Sequence, residues 1–373
     1  MSDGMTLRCT RCGREYSFDP CRFRCDCEGP LEVSGAPAFD PARVEPDQPG
    51  LWRYRHALPL QEGTVPITLG EGTTPLVAAE WDGLPVLLKC EFLNPTGSFK
   101  DRGTAVLVSA LAAAGVTRVV EDSSGNAGAS LAAYAARAGL RATVYVPAHA
   151  SPVKQAQIAA YGAEVRPVPG PRSESARAVL AAVGETTAYA SHVYHPLVHH
   201  GMKTAAFEIV EQVRLLTGRV REAPDAVVLP VGHGTLLLGL ALGFAELRAA
   251  GWIERLPHLF GVQAAPCAPL AVAWERGEAQ PQPLAEGETV AEGVRIAAPL
   301  RGREVLAAVR ESGGGLIAMS DDETLAAQRR LARQGFYVEP TSALAVAALA
   351  SLRDRLAGVV VVVLTGSGFK TPL

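Results

Sequence analysis

A lysine that works as a nucleophile or a base must be able to shed its proton. The segment Asn94 to Gly103 reads Asn-Pro-Thr-Gly-Ser-Phe-Lys-Asp-Arg-Gly. Its Asn-Pro pair and Gly97 predict a turn that delivers Ser98 at a helix start and Lys100 within the first helical turn. An amine among the positive helix-end dipoles loses its proton more readily, as a Schiff-base lysine requires. A plain surface lysine is the competing reading, but a helix N-terminus opposes a cation, so the misfit itself points to chemistry. Lysines are scarce as well: Lys89, Lys100, Lys154, Lys203 and Lys370 are all there are.

Three further loops carry groups that bind anions or rings. Ser123-Ser124-Gly125-Asn126 joins a predicted strand to a helix of small residues, and free N–H groups at such a terminus suit a carboxylate. Asn126 stands where it can lie beside an aromatic ring, although the loop alone also reads as a tight turn. Gly232-His233-Gly234-Thr235-Leu236 again follows a strand, and its two glycines let the backbone close around a phosphate. It is neither a Walker loop nor a dinucleotide fingerprint. Thr365-Gly-Ser-Gly368 puts hydroxyls at the carboxyl end of the apolar run Val359–Leu364.

The elements that must position these loops follow a strand–helix rhythm from residue 85. Strands are predicted at Pro85–Cys90, Arg118–Glu121, Ala142–Val146, Glu164–Pro167, Thr187–Ser191, Ala226–Leu229 and Val359–Leu364. Helices are predicted from Ser98, at Ala127–Ala138, after a Ser151-Pro152 cap, at Glu174–Val183, after residue 200 and at Leu237–Ala249. Continuous β-branched runs indicate parallel strands covered on both faces. Such α/β sheets bind ligands at the carboxyl ends of their strands. The expected division is a module at 1–35, a large α/β domain at 36–105 and 200–373, and a small α/β domain at 106–199 inserted in it. Residues 36–75, rich in Pro and Gly, read as a linker wrapping the main body.

Five of seven cysteines fall in the first 27 residues. In a cytosolic protein that crowding argues for a metal more than for disulfides. Cys9-Thr-Arg-Cys12-Gly13 looks like a zinc knuckle. The second half is irregular, so structural zinc would take Cys9, Cys12 and two of Cys21, Cys25 and Cys27, with Cys25 and Cys27 as the candidate pair. The alternative is a knuckle that keeps its fold and has lost the metal. The chain has 373 residues, 48% apolar, with a net charge of −3. Nucleic acid and membrane are therefore poor partners, and a cytoplasmic protein without signal peptide or spanning segment is expected.

Together the four loops resemble fold type II (β-family, tryptophan synthase β-like) pyridoxal-phosphate (PLP) enzymes, and within them the threonine synthase branch. The resemblance covers nearly the whole chain, and implies two open α/β domains with the cofactor in the cleft, in a homodimer. It implies that Lys100 holds PLP covalently and later acts as the base at the α-carbon of an amino acid. Asn126 would contact the phenolic oxygen, Gly232, His233, Gly234, Thr235 and Leu236 the phosphate, and Thr365 the ring nitrogen. Ser123, Ser124, Gly125, Ser191 and His195 would bind substrate. Glu339-Pro-Thr-Ser-Ala343 also looks like a family segment flanking the site.

The segment Ala190–Thr204 departs from that pattern. It resembles the threonine synthase stretch that helps bind a substrate phosphate, where Asn usually precedes the proline and Arg follows two residues after it. Here those positions are His195 and Val198. Valine cannot make the bidentate phosphate contact of arginine, which argues against O-phosphohomoserine as substrate. His192, His195, His199 and His200 are read as polar residues lining a cleft or its rim, not as a metal site. The leading expectation is a lyase eliminating or replacing a side-chain group. A serine or threonine dehydratase is an alternative, although Ala127-Gly128 follow Asn126 where dehydratases commonly have histidine. A β-replacement enzyme is another, and a non-catalytic binding protein is the alternative of a different class. Five residues follow Gly368, so no allosteric domain is expected after it.

Overall fold

In this computed structural model the described residues are 4–148, 152–170, 172–218 and 222–370. Their strands are, in chain order, β1 (Thr6–Cys9), β2 (Glu15–Ser17), β3 (Leu31–Ser34), β4 (Leu76–Trp81), β5 (Leu84–Lys89), β6 (Arg118–Glu121), β7 (Arg141–Pro147), β8 (Glu164–Val168), β9 (Thr187–Tyr189), β10 (Ala226–Pro230), β11 (His258–Ala264), β12 (Gly315–Met319) and β13 (Val360–Val363). The helices that concern the site are α1 (Lys100–Ala113), α2 (Asn126–Ala138), α3 (Pro152–Ala160), α4 (Arg172–Ala181), α5 (Pro196–Met202), α6 (Thr204–Thr217) and α7 (Thr235–Ala249). The expected cap at Ser151 lies outside the described residues.

The chain divides into two compact units. The first comprises Met1–Glu71 and Lys100–Met202, the second Gly72–Phe99 and Lys203–Leu373. In the first, a parallel sheet runs β8-β7-β6-β9, and a separate antiparallel sheet runs β2-β1-β3. Gly128 of α2 packs so closely on this parallel sheet that a Cβ there would run into the Ser123 carbonyl and touch Val144. In the second unit six strands run β12-β11-β10-β13-β5-β4, parallel apart from the β4–β5 hairpin. Val360–Val363 and Ala226–Pro230 are buried at every position, as continuous apolar runs in the middle of a covered parallel sheet must be.

This division differs from the expected one. Residues 36–71, 100–105 and 200–202 go with the first unit rather than with the six-stranded sheet. For the first of these stretches the reason is a buried carboxylate at its end. Glu71 accepts from Trp52 Nε1 at 2.7 Å, from the Leu69 N–H at 2.9 Å and from the Tyr134 hydroxyl of α2 at 2.6 Å. The Ile67 N–H also donates to Ser109 Oγ of α1 at 2.8 Å. Residues 1–35 keep their own sheet and a small core of Leu7, Cys9, Cys25 and Leu31. Phe23 leaves that module and packs edge-on against Tyr189 and Tyr194, in the first unit's cluster with Val120 and Tyr145.

A buried carboxylate that loses one donor is left partly unsatisfied. Tyr134→Phe is therefore expected to cost about 1.5–3 kcal/mol, read as a lower thermal midpoint with unchanged secondary structure. An unchanged midpoint would show that Glu71 does not tie the wrapping segment down.

Candidate active site

Lys100 opens α1 in the first unit. The turn before it belongs to the second unit and is stitched to the end of β13. The Phe99 N–H donates to the Thr365 carbonyl at 3.0 Å, Ser98 bridges to Gly366, and the Ser367 N–H donates to the Gly97 carbonyl at 2.9 Å. Gly97 sits at φ +82, where a side chain would be strained. Asn94 is buried and donates through Nδ2 to the Glu91 carbonyl at 2.8 Å, which holds the start of the turn.

Two other lysines are committed elsewhere. Lys89 is fully buried and pairs with Glu208 at 2.8 Å, with Thr74 O and Gln212 Oε1 as further acceptors. Lys203 is equally buried and pairs with Glu246 at 2.7 Å. Each of these amines is held in place by a carboxylate; burial lowers the pKa of Lys203, and the charge and hydrogen bond of Glu246 oppose that shift. Lys100 is only partly buried.

Within the first unit the structure brings together the start of α1 and the start of α2. Ser130, one turn after Asn126, stands 2.6 Å from Asp101 Oδ1, the residue after Lys100. Ser123, Ser124, Gly125 and Asn126 are half-buried at the head of α2. Ser123 Oγ accepts the Gly125 N–H at 3.3 Å. A Cβ on Gly125 would meet only that hydroxyl, at 4.0 Å, so the loop's backbone is approachable from one side. The first N–H groups of a helix lack intrahelical acceptors and suit an anion.

Within the second unit the loop Gly232–Leu236 follows β10, next to β13 in the sheet. Gly234, at φ +87, caps α7, and a Cβ there would collide with Val305. A Cβ on Gly232 would press on Ile296 at 3.1 Å and on the Gly293 carbonyl at 3.2 Å. Both glycines are thus required by the packing behind the loop, and the helix opens with no acidic residue in its first turn. Thr365, at the end of β13, is buried, and its Oγ1 lies 3.1 Å from Ser342 Oγ. Ser342, in the helix Pro340–Ala347, also accepts the Gly366 N–H at 2.8 Å. The Glu339 segment singled out in the sequence thereby supports the Thr365 loop.

The segment after β9 behaves differently from its expected part in substrate binding. His195 is buried, its Nε2 lies 2.9 Å from the Pro20 carbonyl, and its Nδ1 accepts the Leu197 N–H at 3.3 Å. Both ring nitrogens hold the protein together, so His195 has none to offer a substrate. Ser191 is buried as well, and its Oγ accepts the N–H groups of Val193 and Tyr194. Val198 is fully buried against α1, with Cγ1 2.6 Å from where a Cβ on Gly103 would stand. Among the described residues the group of side chains able to hold a metal ion is the set Cys9, Cys12, Cys25 and Cys27, and the four histidines form no such group.

His192, which sequence reasoning sets aside with the other histidines, lies next to the α1 turn, with Nε2 3.0 Å from Thr104 Oγ1. Burial, the positive charge of Lys100 and the neighbouring His199 and His195 hold its pKa well below the ordinary histidine value. The unfolded chain binds a proton there that the folded chain refuses. The contribution to stability is therefore full above about pH 6.5 and declines as pH falls, by up to ~1.4 kcal/mol per pH unit. Acid unfolding of the wild type and of His192→Gln should separate below that pH, with the variant losing less. Parallel curves would show that the ring titrates normally.

The family model described as pyridoxal-phosphate dependent enzyme matches residues 67–366. A threonine synthase from Methanosarcina acetivorans is 36% identical over 93% of this chain and 87% of its own. One from Methanocaldococcus jannaschii is 34% identical over 99% of this chain and 93% of its own. Among solved structures, a T.th. threonine deaminase is 32% identical with a TM-score of 0.66, over 79% of this chain and 92% of that one. Maize serine racemase, at 22% identity and a TM-score of 0.68 over 79% and 88% of the two chains, shares the fold. The chain belongs to the pyridoxal-phosphate-dependent enzyme family, in its threonine synthase-like branch.

Proposed function

We propose that this enzyme eliminates or replaces a group on the side chain of a free amino acid, with Lys100 as its cofactor lysine. The observation that carries the reading is the stitching of Gly97–Phe99 to Thr365–Ser367, with Lys100 the next residue in the chain. The residues also fit the cofactor. Ser98 Oγ is buried without a hydrogen-bond partner among the described residues, two positions from Lys100. Leaving such a hydroxyl unpaired costs about 1–3 kcal/mol, and a bound phosphate or ring would offer it a partner.

When bound, pyridoxal phosphate supplies an electron sink for the charge that develops at the α-carbon. The chain's own groups do the rest. The N–H groups of Gly232–Leu236 would hold the phosphate, and Asn126 would contact the phenolic oxygen. The head of α2, with Ser123, Ser124 and Gly125, would hold the substrate carboxylate. Lys100 would bind the cofactor through Nζ and serve as the base at the α-carbon. Thr365 would offer the ring nitrogen a neutral hydroxyl, which does not force a proton onto it and so would favour elimination and replacement over transamination. On this reading the enzyme works in the cytosol as a homodimer, apart from nucleic acid and membrane. Its near-neutral charge speaks against a nucleic-acid partner, and none of the described helices is long and apolar enough to cross a membrane.

Reduction of the holoenzyme with borohydride, followed by peptide mapping, is expected to tag Lys100. A tag on any other lysine overturns the assignment. For the substrate, Val198 removes a charge-assisted phosphate contact worth ~1.5–3 kcal/mol, or roughly ten- to a hundredfold in affinity. Its burial against Gly103 leaves no room there for a long cation. Weak or absent turnover of O-phosphohomoserine is expected, with better turnover of a substrate bearing a neutral or smaller leaving group. Product analysis with O-phosphohomoserine, threonine, serine, O-acetylserine and O-phosphoserine decides it. Efficient threonine formation would establish the second reading, threonine synthase itself, which the names of the relatives favour.

We also propose structural zinc at Cys9, Cys12, Cys25 and Cys27. Their sulfurs lie within 4.8 Å of one another, with contacts of 3.5–3.6 Å. A tetrahedral ion with Zn–S bonds of about 2.3 Å needs sulfurs ~3.8 Å apart. Gly29 backs the cluster, where a Cβ would press on the sulfurs of Cys9 and Cys27. Cys21 lies outside the set. Metal analysis should give about one zinc per chain, retained in Cys21→Ser and lost in Cys25→Ser. Zinc-free wild type would favour the knuckle that has lost its metal.

A further inference from the structure

The first unit holds a buried chain of polar side chains around the turn that bears Lys100, and none of them enters the chemistry above. His192 lies in the connection between β9 and α5, with Nε2 3.0 Å from Thr104 Oγ1. Thr104 Oγ1 is also 3.0 Å from the carbonyl oxygen of Lys100. It stands 2.7 Å from Ser130 Oγ, which is 2.6 Å from Asp101 Oδ1. Asp101, Thr104, Ser130 and His192 are all buried.

Counting protons orients the chain. Ser130 has one hydroxyl proton, and the Asp101 carboxylate is both the stronger acceptor and the shorter contact. Thr104 gives its single proton to the Lys100 carbonyl. Toward His192 its oxygen is left as an acceptor, so Nε2 of the ring carries the proton. The neutral ring donates that hydrogen bond without placing a second cation beside Lys100. His199 and His195 face the same ring and, like Lys100, disfavour its protonation.

We propose that His192 is a positioning residue for Lys100, acting through Thr104 on the carbonyl and hence on the first helical turn from which the lysine side chain departs. The proposal rests on Lys100 being the cofactor lysine. A helix start is held by few intrahelical bonds and frays unless side chains fix it. Misplacing a reacting group by a fraction of its reach lowers rates steeply. His192 and Asp101 fix this turn from two sides, through the hydroxyls of Thr104 and Ser130.

The test uses the full-length protein and three variants. Thr104→Val keeps the shape and removes the hydroxyl, His192→Leu removes the ring donor, and His192→Gln keeps an N–H donor. Cofactor-free protein is mixed with pyridoxal phosphate, and growth of the visible band is followed as the lysine amine condenses with the aldehyde and water leaves. Affinity for pyridoxamine phosphate, which has no aldehyde to join, reports the integrity of the binding loops. His192→Leu and Thr104→Val are expected to slow band formation about tenfold or more, with pyridoxamine phosphate affinity within about twofold of wild type. His192→Gln is expected to restore the rate to within about threefold. Unchanged rates in the Leu and Val variants overturn the proposal, as does a loss of pyridoxamine phosphate affinity that accounts for the slowing. If His192→Leu fails to fold, Thr104→Val decides. Borohydride mapping of the wild type separates the two levels: a tag away from Lys100 ends the lysine assignment, whereas a tag on Lys100 with unchanged rates ends only the part given to His192.

Discussion

Backbone hydrogen bonds between residues 89–99 and 364–367 fix the place at which the candidate lysine enters its helix. The Leu364 N–H donates to the Lys89 carbonyl at 2.9 Å, and the Phe92 N–H to the Leu364 carbonyl at 3.0 Å. The bonds of Phe99 to Thr365 and of Ser367 to Gly97 extend the same stitching past the end of the sheet. The pairing of β5 with β13 thus continues as a loop-on-loop contact after both strands have ended. Ser98 and Thr365, the hydroxyls nearest the lysine in the chain and in the stitch, are set by the same bonds. Because peptide groups do this part of the positioning, the Ser98 hydroxyl is left without a hydrogen-bond partner among the described residues. The backbone geometry is specified by a few residues: Gly97 for its positive φ, and Asn94 for a side chain that closes the turn on Glu91.

The strands and helices that follow this logic are readable from the residues. β6, β7, β9, β10 and β13 are short runs rich in apolar or β-branched residues, and α2, α3, α4 and α7 begin within two residues of a Gly or Pro. Each lies within a few residues of its expected place, and α7 begins at Thr235, two residues before its apolar run suggests. The expectations from sequence do not include β4, β11 and β12. Leu76–Trp81 carries Ala and Glu on a partly exposed edge, and Gly315–Met319 starts with glycine and holds two half-buried positions, so neither has the unbroken apolar signature. The placement of residues 36–71 is hidden for another reason. A Pro- and Gly-rich stretch carries no periodicity, and what anchors it is one carboxylate, Glu71, meeting donors 63 residues away at Tyr134 and 19 away at Trp52.

Among the candidate site residues, legibility follows whether a backbone motif or a side-chain environment decides the outcome. The loops at Lys100, Ser123–Asn126, Gly232–Leu236 and Thr365 are turns joining strands to helices, and such turns announce themselves through Gly, Asn, Ser and Pro. Residues 190–204 give no comparable sign. His195 faces the Pro20 carbonyl because the cysteine module docks there, and nothing in its immediate sequence reports a partner 175 residues away. His192 looks the same as its neighbours in the sequence, yet it alone of them meets Thr104 of α1 within hydrogen-bond distance.

The same contrast bears on how a substrate-phosphate contact could be lost while the candidate cofactor lysine stays. The helix α5 lies close against α1 because both contribute glycine at the crossing: a Cβ on Gly201 would collide with the Arg102 carbonyl, and one on Gly103 with Val198. Once the two backbones approach this closely, the side chain at 198 is packed rather than free to reach out, and an aliphatic residue of valine's size suits the space. A long cation there would have to separate α5 from α1, and α1 carries Lys100 at its head. Close packing behind the lysine turn and a phosphate-binding arginine at 198 therefore compete for the same volume. This chain has the packing, together with a buried histidine, His192, on the adjoining loop, whose Nε2 lies 3.0 Å from Thr104 Oγ1. On the proposed assignment of Lys100, the constraint on the substrate would thus come from how firmly α1 is seated, and it would fall on the leaving group instead of on the α-carbon.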